Sequence, residues 1–441
     1  MRYSEKNLSV LKNNNADIID YAILTILLLH VMIIRWLSLS GTFNIIIDFL
    51  IFITLFKKIP YFIKQKSFIV LLILFLYFLF NFVQCGGQFN ILIKNIYNML
   101  TPILIIFYMT HTLFYKKHIV QTYFRKLLMP CNLYMVINIP VLILQLNGHY
   151  YLSGLSDSVN SMKQDLICGL FGYNGIPMMT LFFCFLITYN WNYFETHNVK
   201  NNKLFVIYNF SLIIFMSIIS LFNDNKAFFV LFLFFIIMYL FVSRSDRILY
   251  ALRKDNLPNL ISKYYIHIMV ILVVAFLIYQ FTGVGDSIQK MISDIILGLT
   301  KGNLAQGSNE RFGMISLMLN NPDHLRLGYG IAKYAWTQPN ALGFVHFGIS
   351  DFGTFFCLGG LLYIILYISV IYFCIRKQFS KKLVQIVLIA FILILSIYTQ
   401  IFTITSLIVS VMFFYTVCYL SYQETNKLKR RKVKFVYNHF T

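Results

Sequence analysis

Four places in this sequence put ionisable side chains inside or beside long apolar runs. An ionisable group at membrane depth is costly unless it is paired or used, so these places are where chemistry is sought first. Arg35 lies toward the end of the first apolar run and Asp48 within the second. "NDNK", from Asn223 to Lys226, makes a tight polar break between two apolar runs, with Asp224 at its centre. The fourth place is a long polar stretch carrying Glu310, Arg311, His324, Arg326, Lys333 and His346, with Asp351 closing it. A cationic surface that holds histidine beside lipid suits a substrate carrying a lipid-linked diphosphate, whose charge grows as it leaves. An unperturbed histidine titrates near pH ~6.5, close to what a general base needs.

Each group also has a plainer role. Arg35 can snorkel to the headgroups, and Asp48 can pair with Arg35 across a two-helix hairpin. Lys226 can anchor a helix end, and Arg311 and His346 can be solvated loop residues. Other chemistries find no footing. The chain has no phosphate-cradling glycine loop, no metalloprotease helix motif and no exposed Asp-x-Asp pair, so nucleotide hydrolysis and metal-dependent sugar-nucleotide transfer are not supported. The seven cysteines show no metal-ligand spacing and fall mostly in apolar runs, where a thiol behaves as a small hydrophobe. Neither a metal nor a cofactor is expected.

What must position these residues is set by composition. Of 441 residues 59% are hydrophobic and 12% charged, and the mean hydropathy is +0.72, far from the balance of a water-soluble domain. The expected fold is an all-α, polytopic integral membrane protein forming one domain over 1–441. Apolar runs near the ~20 residues that cross a bilayer predict about 12 transmembrane helices, at 18–39, 42–56, 67–84, 96–115, 127–146, 172–190, 204–222, 226–243, 264–282, 353–375, 383–400 and 402–421. The first run lacks a small-residue cleavage site and is expected to be retained as a span.

The net charge of +21 is distributed as the positive-inside rule requires. With both termini cytoplasmic, basic and acidic residues balance on the outer side, and the excess falls on the inner loops and the basic tail at 422–441. Because those basic residues are spread over every inner loop, nucleic acid is not an expected partner.

Two outer loops are long: 147–171, and 283–350, which is expected to fold and to contribute to the active site. Within the second loop, Asn309 is placed to cap an amphipathic helix with Phe312, Ile315 and Leu319 on its apolar face and Pro322 as its bound. The loop then turns at "LGYG".

The arrangement resembles the bacterial O-antigen and exopolysaccharide (capsule) repeat-unit polymerases, a membrane family related to the O-antigen ligases. The resemblance is carried by "LFNDNKAFFVLFLFF", by "ERFGMISLML" followed by "PDHLRLGYG", and by "VHFGISDFGTFFCLGGLLYIILY". It covers roughly residues 200–375. Lys226 stands where the family often has arginine, and Phe347 where asparagine is common. The resemblance implies a metal-independent membrane glycosyltransferase of the bacterial cytoplasmic (inner) membrane. Its substrates would be undecaprenyl-diphosphate-linked oligosaccharides, with a chain-length regulator and a flippase as further partners. Arg311, Lys226, Arg35 and Arg326 are implied to bind the diphosphates, and His346 to accept the acceptor's proton, with Asp351, Glu310 and Asp224 in support. An O-antigen ligase would share nearly all these features, and a polysaccharide flippase or other transporter is the remaining alternative.

Overall fold

The computed structural model describes residues 14–56, 65–154, 163–173, 175–196, 203–223, 225, 227–245, 313–334, 350–376 and 378–440. These residues are mostly helical, with no strand among them. This follows from the medium: in hydrocarbon a helix satisfies every backbone hydrogen bond within itself.

The helices are α1 (Asn14–Leu29), α2 (Ser40–Phe56), α3 (Lys66–Cys85), α4 (Phe89–Tyr115), α5 (Lys117–Leu146), α6 (Ile176–Thr196), α7 (Lys203–Phe222), α8 (Ala227–Ser243), α9 (Gly313–Asn320), α10 (Asp351–Arg376), α11 (Lys382–Tyr398) and α12 (Thr405–Phe440). Among the described residues seven helices are long and apolar enough to cross a membrane, and α2, α8 and α11 are shorter apolar helices. The predicted span at 264–282 lies outside the described residues. Several boundaries differ from the sequence reading. The first span is not one α-helix to residue 39: after Leu29 the chain continues as a π-turn, His30–Ile34. The last helix runs on through the basic tail to Phe440.

α12 is the central post. Its stretch Thr405–Tyr422 is wholly enclosed, packed by α4, α6 and α8. α3 and α7 lie at the periphery and leave rows of large apolar side chains outward, among them Leu72, Phe75, Leu76 and Leu79 of α3 and Ile207, Phe210, Ile214 and Ile218 of α7. Lipid tails are as apolar as leucine, so specific contacts between such helices come from packing and buried polar groups. Asn190 of α6 exchanges amide hydrogen bonds of 2.9 Å with Asn132 of α5 and donates to Asn209 of α7 at 2.8 Å.

The bundle has two unlike ends. At one, the buried Lys116 pairs with Asp20 and with Asp17 at 3.2 Å, while Arg244 holds Glu195 at 3.0 Å. The other is the loop end, where the turn after α1, the α3–α4 turn, the described parts of the α5–α6 loop, Asn223 and Asn225, segment 313–334 and the α11–α12 turn gather. The sequence reading calls this end the outer one.

Candidate functional site at the loop end

Two pieces of the loop end are fixed by side chains that rise out of the helices. The first is the α5–α6 loop. Gln145, buried at the end of α5, accepts the Cys168 N–H at 3.1 Å and the Gly169 N–H at 2.8 Å through one oxygen. Its amide nitrogen donates to Ser153 Oγ and to the Gly169 carbonyl. Two helical turns earlier, Asn138 accepts the Leu170 N–H at 2.7 Å, and Asn223 donates to the Ile167 carbonyl at 3.0 Å. Arg35 joins the same loop from beyond the π-turn, its guanidinium donating to the Tyr173 carbonyl at 3.1 Å, and the Trp36 indole donates to Leu152 O at 2.8 Å. Each backbone group so paired avoids the 1–3 kcal/mol or so that a buried orphan costs. Within this packing, burial pushes the Cys168 thiol up to about 11, against the opposing effects of the Gly175 backbone and the Arg35 charge.

The second piece is segment 313–334, which enters a break in α10. At Gly360 the helix turns to φ +67°, ψ −170°, a backbone only glycine adopts without strain. In an unbroken helix the N–H groups of Leu361 and Leu362 would reach the carbonyls of Cys357 and Leu358. Here they go instead to Leu325 O at 2.8 Å and Arg326 O at 3.4 Å. The released carbonyls of Cys357 and Leu358 accept from Tyr329 N at 2.7 Å and Gly330 N at 3.2 Å. The break and the loop therefore satisfy each other. α3 and α4 clamp the other edge: Asn81 donates to Leu327 O at 2.7 Å and accepts from Ile331 N at 2.9 Å, while Asn95 donates to Ile331 O and Tyr334 O. Tyr77 adds a bond to Gly359 O, and Gln88 N a bond to Ala332 O.

Such anchoring puts a polar loop on a rigid mount. Arg326 and Lys333 are exposed on it, and His324 stacks on Tyr329 with ring centroids 4.1 Å apart and 25° between planes. The surface is cationic and aromatic, set directly against apolar helices.

α9 differs from its reading in one respect. It ends before Pro322 as expected, and the expected cap Asn309 and Phe312 lie outside the described residues, but the buried residues are Met314 and Met318, whereas Leu319 is exposed. The helix meets α10 through Met314, whose sulfur accepts from the Thr354 hydroxyl at 3.6 Å and whose carbonyl accepts from Cys357 Sγ. The contact with α10, close to Gly353, selects the face.

The candidate residues are distributed as follows. Arg35 is on the α5–α6 loop side and Arg326 on the α10 side, each held by its own set of anchors. Arg311, His346, Lys226, Glu310 and Asp224 lie outside the described residues. Asp351 is fully buried at the start of α10, where it accepts the Phe402 N–H and the Thr403 hydroxyl at 2.7 Å. Both oxygens are taken by the α11–α12 turn, which makes Asp351 a residue that positions the loop end. Asp48 accepts from Thr101 of α4 at 2.7 Å and makes no ion pair with Arg35. Among the described residues no cluster of three or more His, Cys, Asp or Glu side chains is arranged to hold a metal ion.

Sequence reasoning missed the amides Asn81, Asn95, Asn138 and Gln145, and the histidine His30. Their signal was present: an amide inside an apolar run has to find a partner. Compared with protein-family models, curated proteins and solved structures, the chain matches none.

Proposed function

We propose that this chain is a polymerase of lipid-linked oligosaccharide repeat units, acting at the outer face of a bacterial cytoplasmic membrane with the loop end outward. The observation that carries the reading is the mounting of segment 313–334 in the α10 break. It fixes a cationic, aromatic surface at the boundary between apolar helices and water, where a lipid-linked diphosphate keeps its chain in hydrocarbon and its sugars outside.

In the reaction, a hydroxyl of one lipid-linked unit attacks the reducing-end carbon of the glycan on another. The new glycosidic bond forms as the carbon–oxygen bond to the diphosphate breaks, and the lipid diphosphate departs with that electron pair. Arg311, with Lys226, Arg326 and Arg35, binds the diphosphates and takes up the charge that develops. His346 accepts the hydroxyl proton. No metal or nucleotide enters the scheme.

The deciding experiment is glycan electrophoresis from cells lacking the protein. Lipid carrying a single repeat unit supports the polymerase. Free polymer beside bare acceptor identifies a ligase, and loss of all external glycan identifies a flippase; either result rejects the polymerase.

A further inference from the structure

At the Lys116 end of the bundle, the start of α3, the second half of α4 and the end of α10 enclose a cavity of about 20 Å³. Gln65 and Ser67 line it from the start of α3, Thr110, His111 and Phe114 from α4, and Phe373 from α10. Gln65 is the N-cap of α3, yet its side chain makes no capping hydrogen bond. It is 8% exposed, and its amide nitrogen is buried with no hydrogen-bond partner. Ser67, 3% exposed, brings a hydroxyl to the same wall. Lys66 between them is exposed, as is Arg376 at the end of α10. None of the described residues lining the cavity is acidic.

A buried amide donor without an acceptor is costly, and this one stands at a helix start, where the N-terminal N–H groups carry partial positive charge. Donor hydrogens, a helix N-terminus and two flanking cations fit one kind of partner, an anion with several acceptor oxygens. Size then limits how it sits. A water-sized group needs roughly 10–15 Å³, so the cavity admits an oxygen or two, and the rest of the anion lies at the mouth. The surroundings are apolar: Phe114 is an exposed lining residue, and Ile69, Leu72 and Leu76 form an outward row along α3. A free anion gains nothing from that row, whereas a phospholipid lays an acyl chain along it.

We propose that the start of α3, with α4 and the end of α10, seats the phosphate of an anionic phospholipid of the phosphatidylglycerol kind. A phosphate oxygen accepts from the Gln65 amide and the Ser67 hydroxyl, the helix N-terminus faces its charge, and Lys66 and Arg376 bracket the headgroup from the rim. Basic pockets between membrane helices bind headgroups in this way. The lipid ties α3 to α10, the two helices that hold segment 313–334 at the far end through Asn81 and the Gly360 break. The proposal does not depend on the polymerase reading, because the seat lies at the opposite end of the bundle from the loop-end site.

The test uses the purified full-length protein. Native mass spectrometry counts the lipids that stay bound after exposure to an equimolar mixture of phosphatidylglycerol and phosphatidylcholine, and Tm is measured in phosphatidylcholine nanodiscs with and without phosphatidylglycerol. Wild type is expected to retain one phosphatidylglycerol in preference to phosphatidylcholine and to gain about 2 °C in Tm. Gln65→Leu and Lys66→Gln each weaken retention roughly tenfold, as the loss of one contact to a charged group does. Lys126→Gln, at an exposed base on α5, leaves it unchanged. Should Gln65→Leu not fold, Ser67→Ala and Arg376→Gln carry the test. Equal retention of the two lipids, or a preference that all four seat variants keep, overturns the proposal. So does an equal rise in Tm from inorganic phosphate in pure phosphatidylcholine, which identifies a free anion as the occupant. A preference lost as much in Lys126→Gln as in Lys66→Gln also overturns it, because it reports general surface charge.

Discussion

Gly360 and Gly328 are packed backbone against backbone, both with positive φ, +67° and +73°. A Cβ on Gly360 would stand 2.5 Å from Gly328 N and from the Arg326 carbonyl, and one on Gly328 would stand 2.6 Å from Cys357 O. The crossing of segment 313–334 with the α10 break is therefore as close as two backbones can come. The left-handed backbone alone costs an ordinary residue roughly 1–2 kcal/mol, and the backbone clash adds to it. Gly360→Ala is expected to release the segment, measured as faster protease cleavage between residues 321 and 334 and a lower Tm. Equal cleavage rates in wild type and Gly360→Ala would refute the close packing.

Asn81 holds the same segment from the α3 side. Asn81→Leu keeps the approximate volume but leaves Leu327 O and Ile331 N without their partner, at about 1–3 kcal/mol each. The expected result is a lower Tm and weaker protection of the Ile331 amide in hydrogen exchange. Protection of the Lys116–Asp20 end should be unchanged.

Cys168 reports on the other loop. With its thiol pushed up to about 11 by burial, the thiolate fraction at pH 8 is about one in a thousand, and thiolate is the reactive form. The protein is expected to resist maleimide at this position at neutral pH. Gln145→Ala removes the acceptor of both the Cys168 and Gly169 N–H groups, so it should open the loop and raise labelling at Cys168. Equal labelling before and after the substitution would show that Gln145 does not hold the loop shut.

The helical elements were legible because hydrocarbon imposes long apolar runs, and those runs located α2, α3, α7, α8, α10 and α11 to within a few residues. The sequence was less informative where a polar contact overrides the apolar pattern. α4 starts at Phe89, well before the apolar run at 96, because the Asn95 amide is buried by its bonds to Ile331 and Tyr334. The break in α10 was invisible as hydropathy, since Gly359 and Gly360 sit inside a continuous apolar run, and only the partner segment explains it. Pairing Asp48 with Arg35 was the natural expectation from charge alone, but each finds a nearer partner, Thr101 and the Tyr173 carbonyl. Of the candidate site, Arg35, Arg326 and Asp351 fall among the described residues, and for Asp351 burial decides the role.

Arg326 separates mounting from chemistry. Its carbonyl belongs to the α10 crossing, while its side chain is exposed. Arg326→Ala should therefore leave the unfolding free energy within about 0.5 kcal/mol of wild type, as surface substitutions do, yet shorten the polymer. Arg326→Lys should restore length in part, because it keeps the charge and loses the planar fork that grips a phosphate. Wild-type polymer in Arg326→Ala would remove this residue from diphosphate binding.

Asp351 and His346 stand five residues apart, and the reading assigns them opposite duties. Asp351 has both oxygens committed to Phe402 N–H and Thr403 Oγ. Asp351→Asn would turn an amide NH₂ toward one of those donors, a mismatch of about 1–3 kcal/mol or more in a buried site. Stability should fall, with the 399–404 turn exchanging amide hydrogens faster, and any loss of polymer should follow the loss of folded protein. His346→Gln keeps a hydrogen-bonding side chain that cannot take a proton. A general base contributes typically 10²–10⁴-fold, so polymer should disappear while Tm and membrane insertion stay at wild-type values. The two measurements, Tm and polymer yield per folded molecule, thus move in opposite patterns for the two variants. Full yield per folded molecule in His346→Gln would exclude it as the base. Loss of yield in Asp351→Asn at unchanged Tm would return Asp351 to the chemistry.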